Sequence, residues 1–298
     1  MSSNTDAVLY DHPGPRAKIR NRILTVVFSL ALLALLWWVY SKFDENGQWA
    51  GPLWRPFLEG STWTAYILPG LWSTVKAAAV AMVLSLIFGV IFAVGRLSDH
   101  RWVSIPSGMV VEFFRAVPLL LMMFFIFFGV PFLTEAPMPP FWAVVIGLTL
   151  YNGSVLAEAF RAGIRAVPRG QSEAAYAIGM RKNQVMREIL IPQAARAMLP
   201  VIVSQLVVLV KDTALGYIIG YTELLQLGVN TLGANFGNTV AAAIVAAIIY
   251  VVLNASLTFI AGVLERRTRR SGRAPRAGRG QPAAVGAGGV GAAVEPQG

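Results

Sequence analysis

The chain has 298 residues, of which 56% are hydrophobic and only 13% are charged, and its formal net charge is +10. Soluble domains carry about 25% charged residues, so much of the surface of this chain cannot face water. The absence of cysteine excludes disulfides, zinc–thiolate sites, iron–sulfur clusters and thiol nucleophiles.

The sequence predicts an all-α integral membrane protein with about six transmembrane helices. A helix of about 20 apolar residues crosses a bilayer, and the apolar runs cover residues 23–40, 66–94, 117–133, 141–160, 199–219 and 240–264. The first run is long for the apolar part of a signal peptide, and no small-residue cleavage pattern follows it. We therefore expect an uncleaved first helix.

These runs divide the chain into four parts. A cytoplasmic segment (1–22) precedes the first helix and a tryptophan-containing outer loop (23–65), and tryptophan prefers the membrane interface. The transmembrane core (66–264) includes a polar stretch at about 161–198. The tail (265–298) is basic and poor in large apolar residues, so we expect it to be disordered.

The distribution of positive charge predicts the orientation. If the N-terminus is cytoplasmic, 21 of the 25 Lys and Arg residues fall in inner segments and two in outer segments. Positive residues accumulate on the cytoplasmic side, so both termini are expected there. The net charge is then a membrane-surface feature, and no nucleic-acid partner is expected.

The sequence predicts no catalytic residue, metal site or cofactor in this chain. Its two histidines, His12 and His100, are far apart, which argues against a histidine-based triad or metal centre. A phosphate-binding G-x-x-x-x-G-K-[ST] loop is absent. Energy for active transport would therefore come from an ion gradient or from another subunit.

The polar stretch at 161–198 is too long for a simple connector. We expect Ser172 to cap a short helix that begins near Glu173, and Gly179 to end it. A second amphipathic helix would follow and end at Pro192. From these residues alone, the segment fits equally a docking surface for another protein or two helices lying on the bilayer.

A spaced motif in this stretch resembles the EAA loop of ABC importer permeases, E-A-A-x3-G-x9-I-x-L-P. The matching residues are Glu173, Ala174, Ala175, Gly179, Ile189 and Pro192, and Ile191 stands where leucine is usual. We call residues 161–198 the EAA segment. In the family this loop couples the membrane helices to the ATPase, so the resemblance implies that these six residues form the ATPase contact.

The resemblance extends over about residues 66–264 and points to the polar amino acid branch of the family. The further matching segments are 70–75, 112–119, 158–164 and 211–215. Small departures occur in them, such as Ala214 where serine is usual. The resemblance implies the MetI-like fold of a type I ABC importer transmembrane domain.

The family resemblance also implies the partners and the cell membrane in which they assemble. It implies an ABC ATPase dimer that binds ATP and Mg, an extracytoplasmic amino-acid-binding protein, and a second permease subunit, for which a different chain is preferred over a second copy. The bacterial plasma membrane is the expected location. Glutamate or aspartate is the preferred substrate, because the long N-terminal extension and tryptophan-rich outer loop look like glutamate-type permeases; glutamine, arginine and histidine stay open.

Ionisable residues inside the apolar runs are candidates for the substrate pathway. Lys211 and Asp212 interrupt the fifth run, next to the hydroxyl of Thr213. Each charge costs about 2.5–3.5 kcal/mol at the bilayer centre, so such residues mark a pathway or a paired structural site. Lys211 could bind a substrate carboxylate or take part in an ion pair between helices, and the sequence leaves both open.

Two further pairs have the spacing of neighbours on one helix face. They are Glu158 with Arg161 and Glu112 with Arg115, near the inner ends of their runs. We expect both to be structural or gating pairs rather than substrate contacts.

Two other functional classes compete with the importer. One is an ion-gradient-driven secondary transporter that uses Lys211, Asp212 and Glu158. The other is a membrane-bound enzyme or scaffold. The EAA spacing favours the importer, because a secondary transporter has no need of an ATPase-docking loop.

Overall fold

The computed structural model describes residues 14–270, and every element of regular secondary structure in that range is helical. Five of its helices are long and apolar enough to cross a membrane, and a bent pair of helices makes a sixth candidate span. The predicted all-α membrane fold is therefore confirmed. Residues 1–13 and 271–298, which include most of the predicted N-terminal segment and tail, lie outside the described residues.

Besides short helical segments at 51–58 and 226–236, the described part of the chain contains eight helices. They are α1 (Pro15–Glu45), α2 (Gly60–Arg96), α3 (Arg101–Ala116), α4 (Leu119–Thr134), α5 (Pro140–Arg165), α6 (Arg169–Ala177), α7 (Lys182–Ile219) and α8 (Thr239–Arg270). Helix α2 contains a π-helical turn at Trp63–Ile67, and α7 contains one at Val185–Leu190 and a 3-10 segment at Thr213–Ile219. The end of the bundle that carries the EAA segment is called the EAA end.

Helix α1 stands apart from the bundle and buries none of its residues. It begins at Pro15, where proline is favoured because the first helical N–H needs no partner. The predicted inner segment is thus partly helical. Apolar side chains surround the helix, as expected for a span that faces lipid. Stacked rings join its far end to the following loop, with Trp49 lying 5.5 Å from Tyr40 and 6.0 Å from Trp54 between ring centroids.

The third predicted run forms α4, and an additional helix, α3, meets it at a sharp bend. Helix α3 and helix α4 meet at an angle of 101°, and the break falls at Val117, whose backbone is extended (φ −78°, ψ 126°). Pro118 explains the break, because a proline disfavours helical geometry in the residue before it. The third predicted run, 117–133, coincides with α4, whereas the apolar pattern did not predict α3, which is amphipathic and packs against α2 and α5.

The core of the bundle lies between α2 and α5. Small side chains on α2, Ala77, Ala78 and Ala81, are fully buried and allow the helices to approach closely, as small residues do in membrane proteins. Opposite them, α5 contributes Val144 and Leu148, both completely buried. Helix α7 and helix α4 complete this cluster.

The chain between α7 and α8 is packed into the bundle at the end opposite the EAA segment. Tyr221 donates its hydroxyl hydrogen to the Ser73 carbonyl oxygen at 2.8 Å, and the Leu224 N–H donates to Thr74 Oγ1 at 3.1 Å. A Cβ on Gly70 would lie 2.9 Å from the Leu224 Cα, so only glycine permits this approach. Helix α8 then continues to Arg270, beyond the predicted end of the core at residue 264.

Candidate functional site

Helix α6 is the short helix of the EAA segment, and it begins at Arg169 rather than near Glu173. Pro168 precedes it with extended backbone (φ −53°, ψ 129°), and the helix starts directly after this fixed residue. Ser172 is not the cap; its hydroxyl lies within the helix and donates to the Arg169 carbonyl oxygen at 2.8 Å. The serine therefore makes a local backbone contact inside the first turns.

Gly179 ends the α6 turn, as the sequence predicts. Its φ of +84° lies in the left-handed region that favours glycine. The Gly179 N–H donates to the Tyr176 carbonyl oxygen at 2.9 Å, and the Met180 N–H donates to the Ala175 carbonyl oxygen at 3.1 Å. These bonds satisfy carbonyl groups at the helix end, so the glycine sets the direction in which the chain leaves α6.

One face of α6 is packed and the other is open. Ala175 is buried, at 5% exposure, while Glu173 and Ala174 are exposed. Ile178, just beyond the helix, is 80% exposed. The open face therefore presents an acidic residue, Glu173, a small residue, Ala174, and a large apolar residue, Ile178.

The second half of the EAA segment does not end at Pro192. Helix α7 runs from Lys182 to Ile219 without a break, and Pro192 lies directly after the π-helical turn Val185–Leu190. In a π-helical turn the backbone hydrogen bonds depart locally from the regular α-helical pattern. Proline, which has no N–H to donate, is therefore tolerated directly after it. Ile189 is half-buried and Pro192 is exposed.

The two predicted charge pairs form, and Arg96 joins them. Arg161 contacts Glu158 with Nη2 at 2.6 Å and Nε at 3.1 Å, whereas Arg115 lies 3.7 Å from Glu112. Arg96, whose role was not predicted from the sequence, ends α2 and lies 3.1 Å from Glu112 and 2.9 Å from Glu158. The first contact is a hydrogen bond, whereas Nη1 approaches Glu158 as an ion pair without hydrogen-bond alignment.

The three candidate pathway residues lie where the α-helical part of α7 gives way to a 3-10 segment. Thr213 is buried and donates its hydroxyl hydrogen to the Val210 carbonyl oxygen at 2.8 Å. Lys211 is exposed and lines an open groove of about 470 Å³ with Ala214, Tyr250, Val251 and Asn254. Among the residues whose side chains the structure describes (14–260, 262 and 263), neither Lys211 nor half-buried Asp212 has an oppositely charged group within 4.0 Å.

Two buried polar contacts were not predicted from the sequence. Gln205 Nε2 donates to Asn152 Oδ1 between α7 and α5. Glu223 is completely buried and accepts hydrogen bonds from the Leu225 N–H, the Gln226 N–H and the Tyr250 hydroxyl. A polar residue in an apolar run was the available signal for the first contact, but Glu223 lies in what appeared from sequence to be a loop.

Nothing in the described range resembles a metal centre, since residues 14–270 contain no group of three or more His, Asp or Glu placed to hold an ion. The candidate functional site has three parts: the open face of α6, the groove at Lys211, and the charged network at the EAA end, which consists of Arg96, Glu112, Arg115, Glu158 and Arg161.

Residues 85–270 match the family described as "Binding-protein-dependent transport system inner membrane component". The chain belongs to this family of ABC importer permeases. The permease is 46% identical over 231 residues, 77% of this chain and 84% of the relative, to the glutamate transport system permease protein GluD of Corynebacterium glutamicum. It is 33% identical to the arginine transport system permease protein ArtQ of Bacillus subtilis, over 68% of this chain and 93% of the relative.

Solved structures agree with this assignment. The permease superposes on an amino acid ABC transporter crystallised with histidines, with a TM-score of 0.66 and 28% identity over 71% of this chain and 98% of that one. It has the fold of the MetNI methionine transporter in an inward-facing conformation, with a TM-score of 0.61 and 18% identity over 70% of this chain and 99% of that one.

Family membership makes this permease a multi-pass membrane component of a transport system rather than an enzyme. In such importers ATP is used by a separate ATPase subunit, and a substrate-binding protein delivers the substrate. Both partner classes, which the EAA resemblance implied, therefore belong to the assembly of this chain.

Proposed function

We propose that this permease forms half of the membrane pathway for a polar amino acid, with glutamate or aspartate as the preferred substrate. The observation that carries the proposal is the 46% identity to a glutamate permease. A second relative, the glutamate/aspartate import permease protein GltK of Escherichia coli, is 32% identical over 68% of this chain and 93% of the relative. The arginine relative is similarly distant, so the acidic substrate rests on the first match.

The open face of α6 is the proposed ATPase contact. Glu173 and Ala174 are exposed there, and Gly179 fixes the turn that follows. Small residues allow another protein to approach the helix backbone, which suits a helix seated in a groove. Ala175, which is buried, and Ile189 and Pro192 in the first part of α7 are proposed to position this face.

Lys211, Asp212 and Thr213 are proposed to line the substrate pathway. Lys211 faces an open groove, which supports a carboxylate contact over a structural ion pair. Glu158 with Arg161 and Glu112 with Arg115 are proposed to stabilise one state of the EAA end, since Arg96 links both pairs across three helices. Charge-assisted contacts of this kind are specific in geometry.

The topology and assembly are also proposals. We place the N-terminus and the EAA end in the cytoplasm, since Lys and Arg accumulate there and Trp49 and Trp54 lie at the opposite end of α1. The second permease is proposed to be a different chain. The bacterial plasma membrane is the proposed location.

Reconstitution of the complete transporter in liposomes tests these proposals together. Uptake of labelled glutamate, aspartate, glutamine, arginine and histidine is measured with and without internal ATP, and with an ionophore that removes ion gradients. We expect ATP-dependent uptake with an acidic amino acid preferred. Uptake that persists without ATP and follows an ion gradient would instead identify a secondary transporter.

A paired variant isolates the EAA segment. Glu173→Lys with Gly179→Asp is expected to lose the ATPase subunit on purification while the membrane domain stays folded. The matched control is Glu59→Lys with Gly47→Asp, because Glu59 is exposed and Gly47 has a positive φ of +64°, both far from α6. Equal ATPase retention in the two variants would contradict docking on α6.

A further inference from the structure

Lys182 connects the EAA segment to the turn between α2 and α3. Its Nζ lies 2.5 Å from Asp99 Oδ1 and donates to the Leu97 carbonyl oxygen at 3.3 Å. Lys182 is the first residue of α7, directly after the turn that ends α6. Although Lys182 follows the open face of α6 closely in sequence, its ammonium group faces the turn between α2 and α3.

A cleft lies between the start of α7, which carries Lys182, and the turn after α2, which carries Asp99. It has a volume of about 280 Å³, and its lining includes Leu97, Asp99, Ile164, Lys182 and Met186. Both members of the pair lie on its wall. Because close side-chain packing does not fill this space, the ion pair and the Leu97 contact are the direct polar links between the start of α7 and the turn after α2.

The same turn is tied to the charged network. Arg96, three positions before Asp99, is only 12% exposed and contacts Glu158 on α5 and Glu112 on α3. A displacement of Lys182 would therefore act on a short stretch, residues 96–99, that is fixed to two other helices. Energetic coupling between distant sites is carried by contiguous contacts of this kind.

We propose that the Lys182–Asp99 pair is a positioning contact that transmits movement of the EAA segment to α2 and to the Arg96 network. The proposal rests on the proposed docking of an ATPase to α6 and adds the route by which docking moves the membrane helices. The pair itself contributes little to folding, because Asp99 is 76% and Lys182 40% exposed and exposed ion pairs are weak. Its loss is expected to impair coupling and leave the fold intact.

Charge reversal tests this in the complete transporter reconstituted in liposomes. The variants are Asp99→Lys, Lys182→Asp and the double exchange, and the measured quantities are ATPase retention and substrate molecules taken up per ATP hydrolysed. Each single variant is expected to keep the ATPase and lower the ratio by about fivefold or more, the low end of typical allosteric coupling. The double exchange is expected to restore the ratio. Lys42→Glu, which breaks the exposed Lys42–Glu45 pair on α1, serves as the control and should leave the ratio unchanged.

The outcomes separate the two proposals. An unchanged ratio in both single variants, or no recovery in the double exchange, overturns the positioning role while ATP-driven uptake by the wild type still stands. Loss of the ATPase from Lys182→Asp with retention in Asp99→Lys also overturns it, because Lys182 would then be a docking residue. Wild-type uptake without an ATPase would overturn the proposed function itself.

Discussion

Arg96 Nη1 lies 2.9 Å from Glu158 Oε2, and this contact joins the end of α2 to the end of α5. The same guanidinium reaches Glu112 on α3 at 3.1 Å. Arg96 is 12% and Glu158 26% exposed, so the pair is shielded from water more than an ordinary surface pair. Three helices therefore meet at one arginine.

Replacing Arg96 with glutamine is expected to destabilise the permease more than replacing Arg115. Arg96→Gln leaves Glu158 with Arg161 alone and Glu112 with a partner 3.7 Å away. It removes one charge-assisted hydrogen bond, to Glu112, and one ion pair, to Glu158, and the lost hydrogen bond costs at most about 1.5–3 kcal/mol. Arg115→Gln removes one partly exposed contact and should cost less than about 1 kcal/mol. Thermal unfolding of both variants in lipid nanodiscs measures the difference, and equal stability loss would contradict a central role for Arg96.

The turn at Gly179 gives a second prediction. Gly179→Ala has open space for its methyl group but must hold a φ of +84°, and left-handed geometry costs a residue with a Cβ about 1–2 kcal/mol. We expect the turn to relax and the ATPase to be retained less on purification. Gly47→Ala imposes a similar strain at φ +64° far from α6 and should retain the ATPase fully. Similar retention by both variants would mean that the turn does not position the docking face.

Sequence patterns predicted the spans because burial in lipid demands long apolar runs, and such a run is visible without knowing any contact. The EAA motif could also be recognised without knowing any contact, because its residues lie on one short segment of the sequence. The role of Arg96 could not be recognised in this way. Its partners Glu112 and Glu158 are distant in sequence and come close to it only when the helices pack together. Helix α3 was missed because the charged residues Arg101 and Arg115 made an amphipathic helix look like a loop.

Lys211 offers a test of the substrate pathway. Lys211→Gln removes the positive charge that faces the groove, and losing a charge-assisted contact of at least about 1.4 kcal/mol raises the KM for uptake about tenfold. Lys76→Gln is the matched control, because Lys76 is also an exposed intramembrane lysine but lies over the Phe141 ring, 4.8 Å from its centroid. A KM unchanged by Lys211→Gln in the uptake assay would remove this residue from the pathway.

Glu223→Gln is expected to destabilise the end of the bundle opposite the EAA segment by about 1–3 kcal/mol. Oε2 of the buried carboxylate accepts from the Leu225 N–H at 2.7 Å and the Tyr250 hydroxyl at 2.8 Å, and Oε1 accepts from the Gln226 N–H at 2.8 Å. An amide nitrogen at either position would face a backbone N–H, so one buried donor would lose its acceptor.

Tyr250→Phe supplies the comparison for Glu223, because it removes one donor and leaves both backbone N–H groups bound. Its cost should stay near 1 kcal/mol, and thermal unfolding in nanodiscs should rank Glu223→Gln as the less stable variant. A reversed order would mean that the Tyr250 hydroxyl, rather than the two backbone donors, provides most of the stabilisation at this carboxylate. The chain between α7 and α8 would then be stabilised mainly by its contact with α8 rather than by the hydrogen bonds within its own turn.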